Sequence, residues 1–278
     1  MIRSIVLALV AVVATGCAHK PLSGADLDRV MRPAFISRIE EGAGPKSEVF
    51  TEDSSYKQKL AKLEPKEADR RLSNKMGKGM SRFEVADKLR STTLALLPRE
   101  IPWTNTVDPV AVAKELQSFL VEEVPANAPD YDLLKAEGAD AIVEFVIEKY
   151  GMRSENGRAG VFVEGYGRMF FLESKHEIWY RAFRVDQVDA GLPHVDPFKV
   201  GKSDGVLFRQ QMNDVLDAIA AQFAKDLSPA DRRGGPAVQA EDKGGPDDTN
   251  KTGKTEQEEK KEPPPSDDLP SPDDESKK

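Results

Sequence analysis

The stretch between residues 139 and 187 constrains this chain most, because its apolar residues recur with a period of two. Ala141, Val143, Phe145 and Ile147 alternate with Ile142, Glu144, Val146 and Glu148. That pattern sends successive side chains to opposite faces of a strand. Asn156-Gly157 then offers the chemistry of a tight reversal. Val161, Val163, Met169 and Phe171 resume the alternation around Gly165 and Gly167; those glycines mark a bulge or a close backbone approach. After a turn near Glu173 to Lys175, Ile178, Tyr180 and Ala182 make a third strand, with Trp179, Arg181 and Phe183 on its other face. Three consecutive strands with short connections predict an antiparallel meander. Such a sheet has an apolar face that another layer must cover.

Helical periodicity supplies the cover. Tyr56, Leu60 and Leu63 fall at helical spacing, and Pro65 suits the first turn of a helix carrying Leu72 and Met76, interrupted by Gly77 and Gly79. Ser81 and Glu84 stand three apart as a capping box. The helix they start places Phe83, Ala86, Leu89, Thr93 and Leu97 on one stripe; a strand over Thr92 to Leu97 is the alternative. Asp108-Pro109 opens a further helix with Val112, Leu116, Phe119, Leu120 and Val124 on one face, and a shorter one runs from Tyr131 to Glu137, closed by Gly138. Capped at Ser203 or Asp204, the last helix carries Phe208, Met212, Val215, Leu216, Ile219, Phe223 and Leu227. The expected fold is α+β: a three- to four-stranded antiparallel meander packed against several amphipathic helices. It forms a single domain over 33–229, helical over 54–137, with strands over 139–187 and a closing helix over 204–227. A short strand is expected at Pro33–Ile39, ended by the Gly42-Ala43-Gly44-Pro45 breaker.

The N-terminus is a different kind of segment. Arg3 precedes an apolar run from Ile5 to Ala14, and Thr15-Gly16 lead into Cys17. A positive end, an apolar core of about ten residues and small residues before a cut are the parts of an export signal. The run is shorter than the roughly 20 residues that span a bilayer. Ala14-Thr15-Gly16-Cys17 resembles the lipobox of bacterial lipoproteins, with Ala14 where that family usually has Leu. The resemblance implies removal of residues 1–16, cleavage between Gly16 and Cys17, and acyl chains on Cys17. Two or more acyl chains hold a soluble domain stably on a membrane. Ala18, in place of the Asp that retains such proteins at the inner membrane, implies the outer membrane. Residues 17–32 read as a polar leader with little periodicity beyond Leu27 and Val30. Extended, it would let the domain stand up to about 50 Å from the bilayer.

Cys17 is the only cysteine in 278 residues, so an internal disulfide is excluded and the domain stands on its core alone. The chain carries a net charge of −8 with 32% charged residues, which argues against a nucleic-acid surface. Residues 230–278 carry Gly-Gly-Pro twice, Pro263-Pro264-Pro265 and charges of both signs; a tail so poor in apolar side chains is expected to be disordered.

Catalytic chemistry is sparse. His19, His176 and His194 stand in no metal-ligand spacing and read as surface residues, and no cofactor or metal is expected. Gly165-Tyr166-Gly167 lacks the following helix that a dinucleotide loop needs. Glu144, Glu148 and Glu164 are the carboxylates that strand pairing can gather as acid and base. The plainer reading is a solvated face with cross-strand charge pairs. The aromatic set Tyr150, Phe162, Tyr166, Phe170, Phe171, Trp179, Tyr180 and Phe183 forms either a partner patch, with Tyr166, Phe170, Trp179 and Phe183 as its members, or part of a two-sided core.

The order from Leu134 to Leu227 runs helix, Gly138-Ala139-Asp140-Ala141 and strand, two further strands ending in Trp179-Tyr180-Arg181, then a long helix. It resembles the α/β module of accessory periplasmic lipoproteins: the curli-secretion lipoprotein, activators of penicillin-binding proteins and the N-terminal domain of TolB. The whole chain also resembles uncharacterised lipoproteins of myxobacterial type. A lipid tether, a compact domain and a long disordered tail, with no catalytic constellation, lead to the expectation of a non-enzymatic envelope accessory protein, tethered to a membrane through Cys17, whose partner is another envelope protein or peptidoglycan. The alternatives are a glycan-acting enzyme using Glu144, Glu148 or Glu164, and an oligomeric secretion-channel component.

Overall fold

The computed structural model describes residues 19–60, 62–116 and 128–229. They fall within one unit, Met1–Ala237, and the second unit, Val238–Lys278, lies outside the described residues together with Cys17 and the expected tail. Among the described residues, a six-stranded sheet comprises β1 (His19–Lys20), β2 (Pro33–Ile39), β3 (Lys46–Glu48), β4 (Ala141–Glu155), β5 (Arg158–Phe171) and β6 (Glu177–Asp186). The fold is α+β. Strands β4, β5 and β6 are the antiparallel meander, turned at Asn156 and Gly157, which both take positive φ (54° and 76°). The sheet is wider than the meander. β2 and β3 join β4 in parallel, and β1 pairs antiparallel with β6, giving the order β1-β6-β5-β4-β2.

Helices α1 (Gly24–Leu27), α2 (Ser54–Lys57), α3 (Pro65–Gly79), α4 (Arg82–Leu96), α5 (Pro109–Glu115), α6 (Pro197–Lys202) and α7 (Val206–Asp226) complete the described part. The Ser81–Glu84 capping box forms in both directions at the start of α4, and the helix continues to Leu96, so no strand forms over Thr92–Leu97. α3 runs through Gly77 instead of breaking there, and ends at Gly79, where a Cβ would stand 2.5 Å from the Gly205 backbone. The helix expected from Tyr56 to Leu63 shrinks to one turn, α2, capped by Asp53, which also accepts from Gly157 N–H at 2.7 Å. Ser203 and Asp204 do not cap α7; Gly205 does, at φ 83°, behind the unexpected short helix α6. Tyr131–Lys135 is a 3-10 turn, followed by Gly138 at φ 76°. Phe119, Leu120 and Val124 lie outside the described residues.

The largest departure is the leader. Residues 19–32 are not a free segment: Leu22, Leu27 and Val30 are buried, and Asp140 accepts from the N–H groups of Met31 and Arg32. Apolar residues at that spacing lack a period of their own, so only tertiary contacts reveal their role.

The two faces of the sheet differ in composition. The inner face carries Phe145, Met169, Trp179 and Phe183 against α4 and α7. Phe223 of α7 is the centre of this layer, stacked on Phe145 at 5.1 Å and edge-on to Trp179 at 5.4 Å and Phe183 at 5.6 Å. On the outer face a smaller core joins Ala34, Ile36, Val112, Tyr131, Leu134, Ile142 and Phe170 beneath α5 and the 3-10 turn.

Candidate functional site

Strand register arranges the outer face in rows. Ala34, Ile142 and Phe170 make an apolar row; Ile36, Glu144, Arg168 and Tyr180 make the next; Arg38, Val146, Tyr166 and Ala182 make the third. A fourth pairs Lys149, Glu164 and Arg184. Passing along the strands, the face changes from dry to ionic to half-open.

Glu144 is the hinge of that change. It is fully buried, and its Oε1 accepts from Arg38 Nε at 2.8 Å and from the Tyr131 hydroxyl. Its Oε2 accepts from Arg168 Nε at 2.5 Å. Arg38 also donates to the Tyr166 hydroxyl at 3.0 Å. Burial acts to lower the pKa of both arginines, but the bonds to Glu144 outweigh it and raise them. Burial first, then the Glu144 charge, pushes the Tyr131 phenol up. Both oxygens of the Glu144 carboxylate are therefore occupied by donors from three other elements. The expected solvated face with cross-strand pairs is corrected here: Glu144 and Arg168 do pair across strands, but under cover. One signal in the sequence pointed to it. A lone Glu within Ala141-Ile142-Val143-Glu144-Phe145-Val146-Ile147 sits in a strand apolar on both faces, and a charge buried there needs partners.

Glu148 and Glu164 do not join Glu144. A register shift between Ile147 and Lys149 turns the strand, and both line a different cleft of about 540 Å³ with Glu40, Lys149, Arg153 and Arg184. Lys149 holds Glu164 at 2.6 Å. Glu148 is half-buried, and burial, followed by the charges of Glu40 and Glu164, pushes its carboxyl above the ordinary range.

The four aromatic residues also separate. Trp179 and Phe183 are inner-core residues, buried against Phe223, so they form no patch. A Cβ at Gly167 would stand 2.5 Å from the Trp179 ring, so the glycine serves a close approach to the ring and no phosphate loop. Phe170 is buried edge-on to Tyr131 at 5.4 Å. Tyr166 alone of the four reaches the half-open part, stacked with Tyr180 at 5.5 Å. His176 and His194 are exposed; His19 is exposed too, 3.6 Å from Asp226. Among the described residues no cluster of three or more metal-ligating side chains occurs, and no helix is long and apolar enough to cross a membrane.

Sequence reasoning also missed the buried Asp69 of α3. It accepts from the N–H groups of Val49, Phe50 and Thr51 and from the Ser47 and Thr51 hydroxyls, fixing the loop after β3.

No family model and no curated protein matches the chain. Among solved structures it is similar to the PelC dodecamer from Paraburkholderia phytofirmans. A point-variant crystal form is 10% identical and covers 73% of this chain and 98% of that one, at a TM-score of 0.28. A second crystal form is 11% identical and covers 74% and 97%, also at 0.28.

Proposed function

We propose that this chain is a lipid-anchored cell-envelope protein whose domain works by binding a partner. The observation that carries the reading is the outer sheet face. Its stacked Tyr166 and Tyr180 stand half-buried beside Ala182, bordered by Arg168 and by the exposed Arg184. Rigid aromatic side chains with neighbouring arginines are the residue types that dominate binding energy at interfaces. The Glu144 carboxylate beneath is paired on both oxygens, which supports a preorganised face. The lipobox-like Ala14-Thr15-Gly16-Cys17 supports anchoring and export, and Ala18 favours the outer membrane. The partner is another envelope protein or peptidoglycan.

One observation favours a second reading, a glycan-acting enzyme: Glu148, with its raised pKa, shares a cleft with Glu164. The Lys149 ion pair on Glu164 and the cations in the wall weigh against it.

A photo-crosslinking residue at Tyr180 in living cells tests the first reading. A discrete adduct that is lost with Arg168→Ala supports it. No adduct, together with hydrolysis of envelope glycan that Glu148→Gln abolishes, selects the second. Defined oligomers in detergent, joined to one another through Tyr180, would make the partner a second copy and favour a channel-assembly role.

A further inference from the structure

With Cys17 lipidated, a premise taken from the proposed function, a free leader would let the domain stand well away from the bilayer. The packing of residues 19–32 removes that leader. His19 and Lys20 pair with Arg181 and Tyr180 on the edge of β6, and the Lys20 ammonium donates to the Glu177 carbonyl. His19 Nε2 and Arg181 Nε both lie 3.6 Å from the same Asp226 oxygen, at the C-terminal end of α7. Ser23 caps α1, Leu27 and Val30 enter the core, and Arg29 lies over the Phe171 ring at 4.5 Å. Only one residue, Ala18, stands between Cys17 and β1.

Two residue steps span at most about 7 Å. Even with β1 frayed, the buried Leu22 limits the reach from Cys17 to about 18 Å, well short of the extended leader's length. We infer that the domain lies directly on the bilayer, with the β1–β6 edge and the C-terminal end of α7 as its membrane-facing surface. The occupant of that surface is a phospholipid headgroup layer. A net charge of −8 gives no overall pull toward anionic lipid, so the acyl chains and the short strap set the orientation.

The strand order gives this orientation its functional content. β6 is one strand spacing and β5 two from β1, roughly 5 and 10 Å, whereas β2 is four spacings away, roughly 19 Å. Tyr166 on β5 and Tyr180 on β6 therefore sit at the anchored side of the sheet. Of the two partner classes in the proposed function, this placement favours a protein embedded in or lying on the same membrane.

The test uses the full lipidated chain in phosphatidylcholine vesicles that contain a headgroup spin-labelled lipid. Cys17 is the only native cysteine and its thiol carries the lipid under this reading, so an introduced cysteine takes a fluorophore at one site. Lys225→Cys, exposed beside Asp226, reports the near edge; Val110→Cys, exposed on α5 over β2, reports the far one. Quenching several-fold stronger at Lys225 than at Val110 is expected, and a Gly-Ser insertion of about fifteen residues between Ala18 and His19 should abolish the difference. Equal quenching at both sites in protein that floats with the vesicles overturns the orientation while leaving the anchor standing. A Cys17→Ser chain that still floats overturns the anchor, and the orientation with it.

Discussion

Glu144 and Phe145 are neighbours on one strand, and they show two ways of burying a sheet face. Phe145 enters an aromatic layer with Phe223, Trp179 and Phe183, where packing needs shape and nothing else. Glu144 is as fully buried, yet its carboxylate is held by hydrogen bonds from three other elements: Arg38 of β2, Arg168 of β5 and Tyr131 of the 3-10 turn. The inner face gains its stability from transfer out of water. The outer face pays for charge burial and gains a fixed geometry beside a half-buried tyrosine stack. The difference separates a stabilising face from a presenting one.

Truncation should make the two faces look alike. Phe145→Ala leaves an aromatic-sized cavity and is expected to cost about 3–5 kcal/mol in urea unfolding. Glu144→Ala strands the buried Arg38 guanidinium and the half-buried one of Arg168, and is expected to cost about 3–5 kcal/mol as well. Replacement of the whole group should tell them apart. Arg38→Met, Glu144→Leu, Arg168→Met and Tyr131→Phe together are expected to be neutral or up to about 4 kcal/mol stabilising, while crosslinking from Tyr180 is lost. A combined variant as unstable as Glu144→Ala would mean that the network holds the fold itself, and the contrast would collapse.

Two smaller effects sharpen the contrast. Gly167→Ala pushes a methyl to 2.5 Å from the Trp179 ring and 3.1 Å from Phe223; overpacking of this kind costs about 1–3 kcal/mol, read as a lower thermal midpoint. Tyr180→Ala removes one half-buried ring of the outer stack, with an expected loss near 1 kcal/mol and a much larger loss of partner crosslinking from Ala182. A loss as large as that of an inner aromatic would place Tyr180 among the core residues.

What the sequence disclosed follows the range of the physics involved. Asn156-Gly157, the Ser81–Glu84 box and Asp108-Pro109 act over two to four residues, and each appears in the structure where it was expected. The meander joins neighbours in sequence, so its alternation could be read directly. The parallel pairing of Pro33–Ile39 with Ala141–Ile147 joins segments more than a hundred residues apart, and no local pattern encodes it. The candidate site depends on that pairing, because Arg38 reaches Glu144 only through it. The leader failed for the same reason: Leu22, Leu27 and Val30 are apolar residues without a period, recruited by an edge that the chain forms much later.

The smallest effect concerns Glu148, where the half-open face meets the cleft. Burial, then the charges of Glu40 and Glu164, raise its pKa above the ordinary 4.5. The folded protein therefore holds this proton more tightly than the unfolded chain does, and the ionised carboxylate opposes folding. That cost is complete above the raised pKa and absent below the unfolded one. Glu148→Gln should accordingly raise the urea midpoint at about pH 7, with the gain fading as the pH falls through the raised value and gone by about pH 4. Because the group is only partly withdrawn from solvent, the gain should be small. A gain that persists at low pH would assign the effect to better packing of the amide, and a loss at neutral pH would show that the carboxylate holds a favourable contact on this face.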